Sequence, residues 1–114
     1  MLGYNECNSF FIIAMHYLYI LYSESSDKYY VGITENIDQR VDEHNSSEHN
    51  TYTSKHRPWR LSALFECASS LGDAMKIERF IKNQKSRRLI ETMVSGVPLT
   101  GVLAQLVRVP HVRD

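Results

Sequence analysis

The apolar positions of this chain change period several times, and each change marks an element. His16–Tyr22 (HYLYILY) is β-branched and aromatic throughout, which predicts a strand covered on both faces. Ser23–Lys28 is polar and predicts a turn, and Tyr29–Ile33 (YYVGI) a second strand, so the two form a hairpin. Thr34–Asn45 switches to helical spacing, with Ile37 and Val41 on one stripe. Thr34 or Asn36 can cap it, with Gln39 three residues after Asn36. Residues 46–58 are a polar connection ending at Pro58, where His56–Arg57 cannot easily continue a helix. Trp59–Glu66 alternates, Leu61, Ala63 and Phe65 against Ser62 and Leu64, and predicts a third strand. Ser70, with Asp73 three residues on, opens a helix whose buried stripe reads Leu71, Ala74, Met75, Glu78 and Ile81. Lys85–Val94 is a shorter helix with Leu89, Ile90, Met93 and Val94 as its apolar side, stopped by Gly96, Pro98 and Gly101. The order β-β-α-β-α-α predicts an α/β (α+β) fold, a small three-stranded, mainly antiparallel sheet flanked by helices.

Charged side chains interrupt the apolar stripes at three places. Arg40 and His44 share the stripe of Ile37 and Val41, so both are expected to point toward the body of the domain. A cation and an imidazole held there cost on the order of several kcal/mol unless something uses them. Glu78 is the only charge on the line of the later helix. An Arg, a His, strand tyrosines and one carboxylate, aimed inward from different elements, make a candidate catalytic surface. Gly32 carries no side chain within a strand, the mark of a bulge or of a place where something approaches the backbone.

Size and composition then narrow the class. A chain of 114 residues supports one small domain, and 23% charged with 43% hydrophobic residues is ordinary for a globular protein. Thirteen basic and thirteen acidic residues cancel, so net charge argues for no partner, but the distribution does. Lys76–Glu91 holds six basic residues against Glu78 and Glu91, and Lys55–Arg60 (KHRPWR) is purely basic with an aromatic inside it. Thr34–Glu48 is acidic apart from Arg40, so one face suits an anionic partner and another suits solvent. Cys7 and Cys67 are too few for a disulfide scaffold and have no zinc spacing, which fits a reducing cytoplasm. Phe10–Ala14 is far too short for a membrane span, and no membrane is expected as a partner. Met15 directly precedes the first strand. The expected organisation is an extension over 1–14, with Met15 as the natural start, a domain over 15–95, and a tail over 96–114 without an assignable partner and free to move.

Several of these residues, taken in register, resemble the GIY-YIG nuclease superfamily, in particular its small stand-alone members related to the nuclease domain of the repair excinuclease. Tyr17-Leu18-Tyr19 stands in place of the first motif, with Tyr17 and Leu18 where the name has Gly and Ile. Tyr30-Val31-Gly32 is the second, Tyr30 lying eleven residues after Tyr19. Arg40 follows Tyr30 by ten residues and His44 follows Arg40 by four. Thr53–Trp59 reads T-x-x-x-R-P-W, as in the small-protein subgroup, and Glu78 stands at the place of the metal-binding glutamate. The likeness covers roughly Met15 to Val94.

That resemblance implies a metal-dependent endonuclease hydrolysing phosphodiester bonds, in DNA ahead of RNA, on structured or damaged substrates of the kind met in repair. Glu78 would hold one Mg²⁺ (or Mn²⁺), Arg40 would bond the scissile phosphate, and Tyr19 would orient or deprotonate the attacking water. Tyr30 would bond the phosphate or the water, and His44 would relay the proton or hold Tyr19. Gly32 would let the phosphate approach the backbone, while Lys55, Arg57, Lys82, Lys85 and Arg87 are candidates for tracking neighbouring phosphates. No separate recognition domain is evident, so targeting is left to the basic surface, a homodimer or a protein partner. Two other readings stand beside this one. Arg40 and Glu78 could form a buried structural ion pair, and the fold could serve as a nucleic-acid-binding or interaction module that cleaves little or nothing. Tyr17, Tyr22 and Tyr29 are expected as strand residues, and His16, His49, His56 and His111 as surface residues.

Overall fold

The computed structural model describes residues 14–46 and 52–110. Its elements are β1 (His16–Ser23), β2 (Lys28–Thr34), α1 (Ile37–Ser46), β3 (Trp59–Ala68), α2 (Leu71–Gln84), α3 (Arg87–Ser95) and β4 (Val107–Arg108). Short 3-10 helices lie at Thr53–His56 and Gly101–Gln105. The strands form one antiparallel sheet in the order β2-β1-β3-β4. The α+β class and the order through α3 are those the sequence predicts.

Central β1 explains its own composition. Leu18, Tyr19, Ile20 and Leu21 are all fully enclosed, because both faces of this strand are covered. Leu18 and Ile20 join Val31, Phe65 and Cys67 under α2 and α3, which add Ala74, Ile77, Ile81, Ile90 and Met93. Tyr19 and Leu21 face the other way, with Trp59 and Leu64, beneath Ile37 and Val41 of α1. The Ser70 and Ser86 side chains cap α2 and α3 by accepting from the Asp73 and Leu89 amides. Asn36 caps α1 by accepting from the Gln39 amide at 3.1 Å.

Four features depart from the sequence reading. The buried face of α2 is Ala74, Ile77 and Ile81, while Leu71 and Met75, expected on that stripe, are exposed. The β1–β3 register shifts between Ile20 and Leu21, so Leu61 pairs with Leu21 and Ala63 with Ile20. Leu61 therefore packs on the Trp59 face while Ala63 and Phe65 face the helices, instead of sharing one side. The stretch expected as a loose tail packs instead as far as Pro110: Leu103 and Leu106 are buried, Val107 and Arg108 pair with Glu66 and Phe65, and the Val109 amide donates to the Leu64 carbonyl. This makes the sheet four-stranded. Finally, His16 is buried rather than exposed, its Nε2 3.3 Å from a Glu35 carboxylate oxygen. The proposed extension, apart from Ala14, and His49 and His111 lie outside the described residues.

Candidate active site

Tyr19 forms the floor. Its partner across the ladder is Gly32, on edge strand β2. A Cβ built on Gly32 would fall 2.5 Å from Tyr19 Cζ and 2.9 Å from Cε2. The glycine is thus explained by a close approach, but the group that approaches is the phenol, and Gly32 is itself buried beneath it. This corrects the expectation that the gap serves a phosphate.

α1 lies over this floor and supplies His44, buried, whose Nε2 is 2.9 Å from the Tyr19 hydroxyl. The helix end is fixed by three bonds from the segment that follows. Asn45 donates to the Trp59 carbonyl at 2.9 Å and accepts from the Trp59 amide at 2.6 Å, and Arg57 Nε donates to the His44 carbonyl at 2.7 Å. The Trp59 indole in turn donates to the Thr53 carbonyl. Asn45 gives no signal in the sequence, because its role depends on a contact with a residue fourteen positions away.

Electrostatics set the protonation of the pair. Burial, the largest influence, pushes the Tyr19 phenol well above its ordinary value, and the nearby Tyr30 and Glu78 push it further. Arg40 offsets part of this through its charge and a hydrogen bond. Burial lowers His44, the Arg40 and Arg57 charges lower it further, and Glu43 opposes them. A neutral imidazole therefore faces a protonated phenol, and the phenol donates to Nε2 when that nitrogen carries no proton.

The remaining expected residues gather around this pair. Tyr30, half-buried on β2, has its ring centre 6.3 Å from Tyr19 and 5.0 Å from His44. Lys82 reaches past the edge strand from α2, its Nζ 5.1 Å above the Tyr30 ring and 3.2 Å from a Glu78 carboxylate oxygen. Arg40 is less inward than its stripe implies: its side chain is 42% exposed and pairs with Glu43 at 3.1 Å. The Arg40–Glu78 ion pair is therefore not formed, since each partners a neighbour on its own helix. Glu78 and Arg40 nevertheless both act on the Tyr19 phenol. Five side chains from β1, β2, α1 and α2 share one neighbourhood.

The basic residues divide. Lys55, Lys82 and Lys85 are exposed. Arg57 is held on α1, and Arg87 bonds the Asp27 carboxylate and carbonyl and the Glu91 carboxylate while lying 5.1 Å over the Tyr29 ring. Those two brace the fold, which differs from their expected use on phosphates. His56 also differs from its surface assignment: half-buried, it bonds Ser26 and stands beside Tyr52.

Among the described residues no group of three or more His, Cys, Asp or Glu side chains could hold a metal ion. The donor set on hand is Glu78 alone, one of whose oxygens faces Lys82. A single hard carboxylate fits Mg²⁺ or Mn²⁺, which keep several waters and complete their shell from a phosphate. No helix among the described residues is long and apolar enough to cross a membrane.

The domain is thus of the α+β class, with a buried phenol–imidazole pair lying near a guanidinium and a lone carboxylate. The family profile of the GIY-YIG catalytic domain matches residues 15–91, and the chain belongs to the GIY-YIG family of nuclease domains. It is 43% identical over 72 residues to a UPF0213 protein of Syntrophus aciditrophicus, covering 61% of this chain and 79% of that protein. A UPF0213 protein of Haloquadratum walsbyi is 38% identical over 80 residues, 67% of this chain and 86% of its own. The solution NMR structure of a UPF0213 protein from Bacillus halodurans matches with a TM-score of 0.44 at 36% identity, over 71% of this chain and 83% of that one.

Proposed function

We propose that this protein is a metal-dependent endonuclease that hydrolyses phosphodiester bonds in DNA, on structured or damaged substrates in the cytoplasm. The observation that carries this reading is the Tyr19–His44 hydrogen bond, buried, neutral and adjacent to Arg40, Tyr30 and Glu78. A phenol raised above its ordinary value cannot act as a base by starting ionised. It can act by passing its own proton on as it receives one. Tyr19 is set to take a proton from the attacking water while its hydroxyl proton moves to His44 Nε2, 2.9 Å away. Low basicity of His44 keeps the imidazole neutral, and in the tautomer that carries its proton on Nδ1 the Nε2 atom is open to accept.

Arg40, half-exposed at the mouth, suits the non-bridging oxygens of the scissile phosphate, where charge accumulates in the transition state. Tyr30 lies between His44 and Lys82 and can orient the phosphate or the water. Glu78 would hold Mg²⁺ or Mn²⁺, whose chemistry there is to neutralise phosphate charge and acidify a water. Lys82 contacts the Glu78 carboxylate and lies over the Tyr30 ring, so it ties the two together at the site. Lys55 and Lys85 extend the positive surface for neighbouring phosphates, and targeting falls to that surface, a second copy or a partner.

The test is nicking of plasmid and branched DNA, with RNA in parallel, in Mg²⁺ or Mn²⁺ and in chelator. Chelator-sensitive DNA nicking that Glu78→Ala and Arg40→Ala abolish, with folding intact, is the expected result. Binding without cleavage in either metal would replace the enzyme by a binding module.

A further inference from the structure

Beside the proposed reaction centre, along the outer edge of β2, lies a cavity of about 330 Å³ whose interior none of the roles above employs, although Lys82 and Lys85 stand at its rim. Its floor is Val31, Ile81 and Ile90, each buried, so the bottom is apolar, while Asp27, Lys28, Ser86 and Arg87 stand in the walls. At one end stands Tyr52, 50% exposed, its ring roughly parallel to that of Tyr30 at 6.5 Å. Lys82 and Lys85 stand on the rim. The volume lies within the range of small-molecule sites, and an apolar floor under a mostly charged rim suits a planar ligand that carries phosphate.

Resting on the nuclease reading, we infer that this groove receives the base of an unpaired nucleotide adjoining the scissile phosphate. Lys82 supplies the continuity. It lines the groove, stands over Tyr30 and contacts Glu78, so a phosphate at the reaction centre leaves its neighbouring sugar and base at the groove mouth. Tyr52 is half-exposed and offers ring surface for stacking, with Tyr30 roughly parallel to it and His56 4.8 Å away holding it in place. Lys85 adopts a left-handed backbone (φ 48°) at the end of α2, a position that glycine or asparagine fills more easily. A lysine there keeps a cation on the rim for the next phosphate. As the edge strand, β2 also leaves backbone N–H and C=O groups unpaired along this side, available to the polar rim of a base. A base stacked inside an intact duplex cannot enter such a groove. The preferred DNA therefore carries at least one unstacked nucleotide beside the cleaved bond, as in a single strand, a flap or a bulge.

The test uses the full chain in chelator, so that binding is read without cleavage. Labelled hairpin DNAs carry either one unpaired thymidine or, at the same place, an unpaired abasic residue. Wild type is expected to bind the thymidine form about tenfold more tightly. Tyr52→Ala should bring the ratio close to one and Tyr52→Trp should restore it. Lys85→Asn, which tolerates the left-handed backbone, should weaken both DNAs equally and lower the salt slope by about one. Were Tyr52→Ala to lose its fold, the fluorescence of 2-aminopurine at the unpaired position replaces it, with quenching on wild type expected. An equal affinity for both DNAs, a ratio that survives in folded Tyr52→Ala, or unquenched 2-aminopurine overturns the groove assignment. Adding Mg²⁺ separates the two readings. Cleavage without base discrimination removes the groove and leaves the nuclease, whereas discrimination without cleavage in Mg²⁺ or Mn²⁺ removes the nuclease and leaves the groove.

Discussion

Replacing Gly32 by alanine places a methyl group where the Tyr19 ring already lies. The new carbon would sit 2.5 Å from Cζ and 2.9 Å from Cε2 of a side chain with no exposed surface. Neither can yield cheaply: Gly32 is fixed by the β1–β2 ladder, and Tyr19 is fixed by His44 above and the sheet below. Overpacking of this kind costs about 1–3 kcal/mol. In a domain of this size each kcal/mol lowers Tm by about 4–8 °C. Relief comes only by tilting the phenol, which carries its hydroxyl away from His44 Nε2, and a displacement near 1 Å at a reacting group costs ~10²-fold in rate. Urea unfolding with single-turnover cleavage of a labelled DNA measures both losses. In a Tyr19→Ala background the ring is gone, so adding Gly32→Ala should cost little further stability. Wild-type stability and rate in Gly32→Ala, or the same penalty without the ring, would refute the explanation.

Other expectations follow from the same contacts. The folded state holds His44 below its ordinary value, so on acidification the unfolded chain takes up the proton first, and stability falls once pH drops below about 6.5. His44→Gln should remove that part of the decline in urea titrations, and cleavage by the wild type should lose rate as pH falls through the lowered His44 value. Asn45→Ala strands the Trp59 amide and carbonyl in a partly buried site and should cost about 2–3 kcal/mol in urea melts, with His44 displaced and cleavage reduced. Truncation after Pro98 exposes the surface under Leu103 and Leu106, worth about 1.5–3 kcal/mol for each side chain. Calorimetry should register the loss, and an unchanged Tm would mean that β4 adds nothing.

How much of the molecule is legible in its sequence depends on the range of the interactions involved. β1 announces itself because both faces are covered, and α1, α2 and α3 carry their caps within a few residues. The α2 stripe is only partly legible: Ala74 and Ile81 are buried as expected, whereas Ile77 takes the inward place expected of Leu71 and Met75. His44 and Glu78 stand out because each breaks an apolar line. Arg40 breaks one as well but faces outward more than its stripe suggests, since a long side chain can leave an inward Cα and pair with Glu43. β4 leaves no trace because two residues carry no period, and its pairing with β3 is a long-range contact. The bulge near Ser62 is hidden because a shifted register leaves the alternation of the sequence unchanged while moving Leu61 to the other face. Gly32 signals a close approach, which is the right physical reason, but only coordinates identify the Tyr19 ring as the group that comes close.

The account stands most directly on whether Tyr19 and Glu78 act as one unit, which the single-turnover cleavage rates of Tyr19→Phe, Glu78→Gln and the double variant measure. Groups that work in a single step are strongly non-additive, so each single change should lower the rate by about 10³-fold or more and the double should be little worse. Cleavage at the wild-type rate in either single variant, or losses that multiply in the double, would contradict a shared hydrolytic centre.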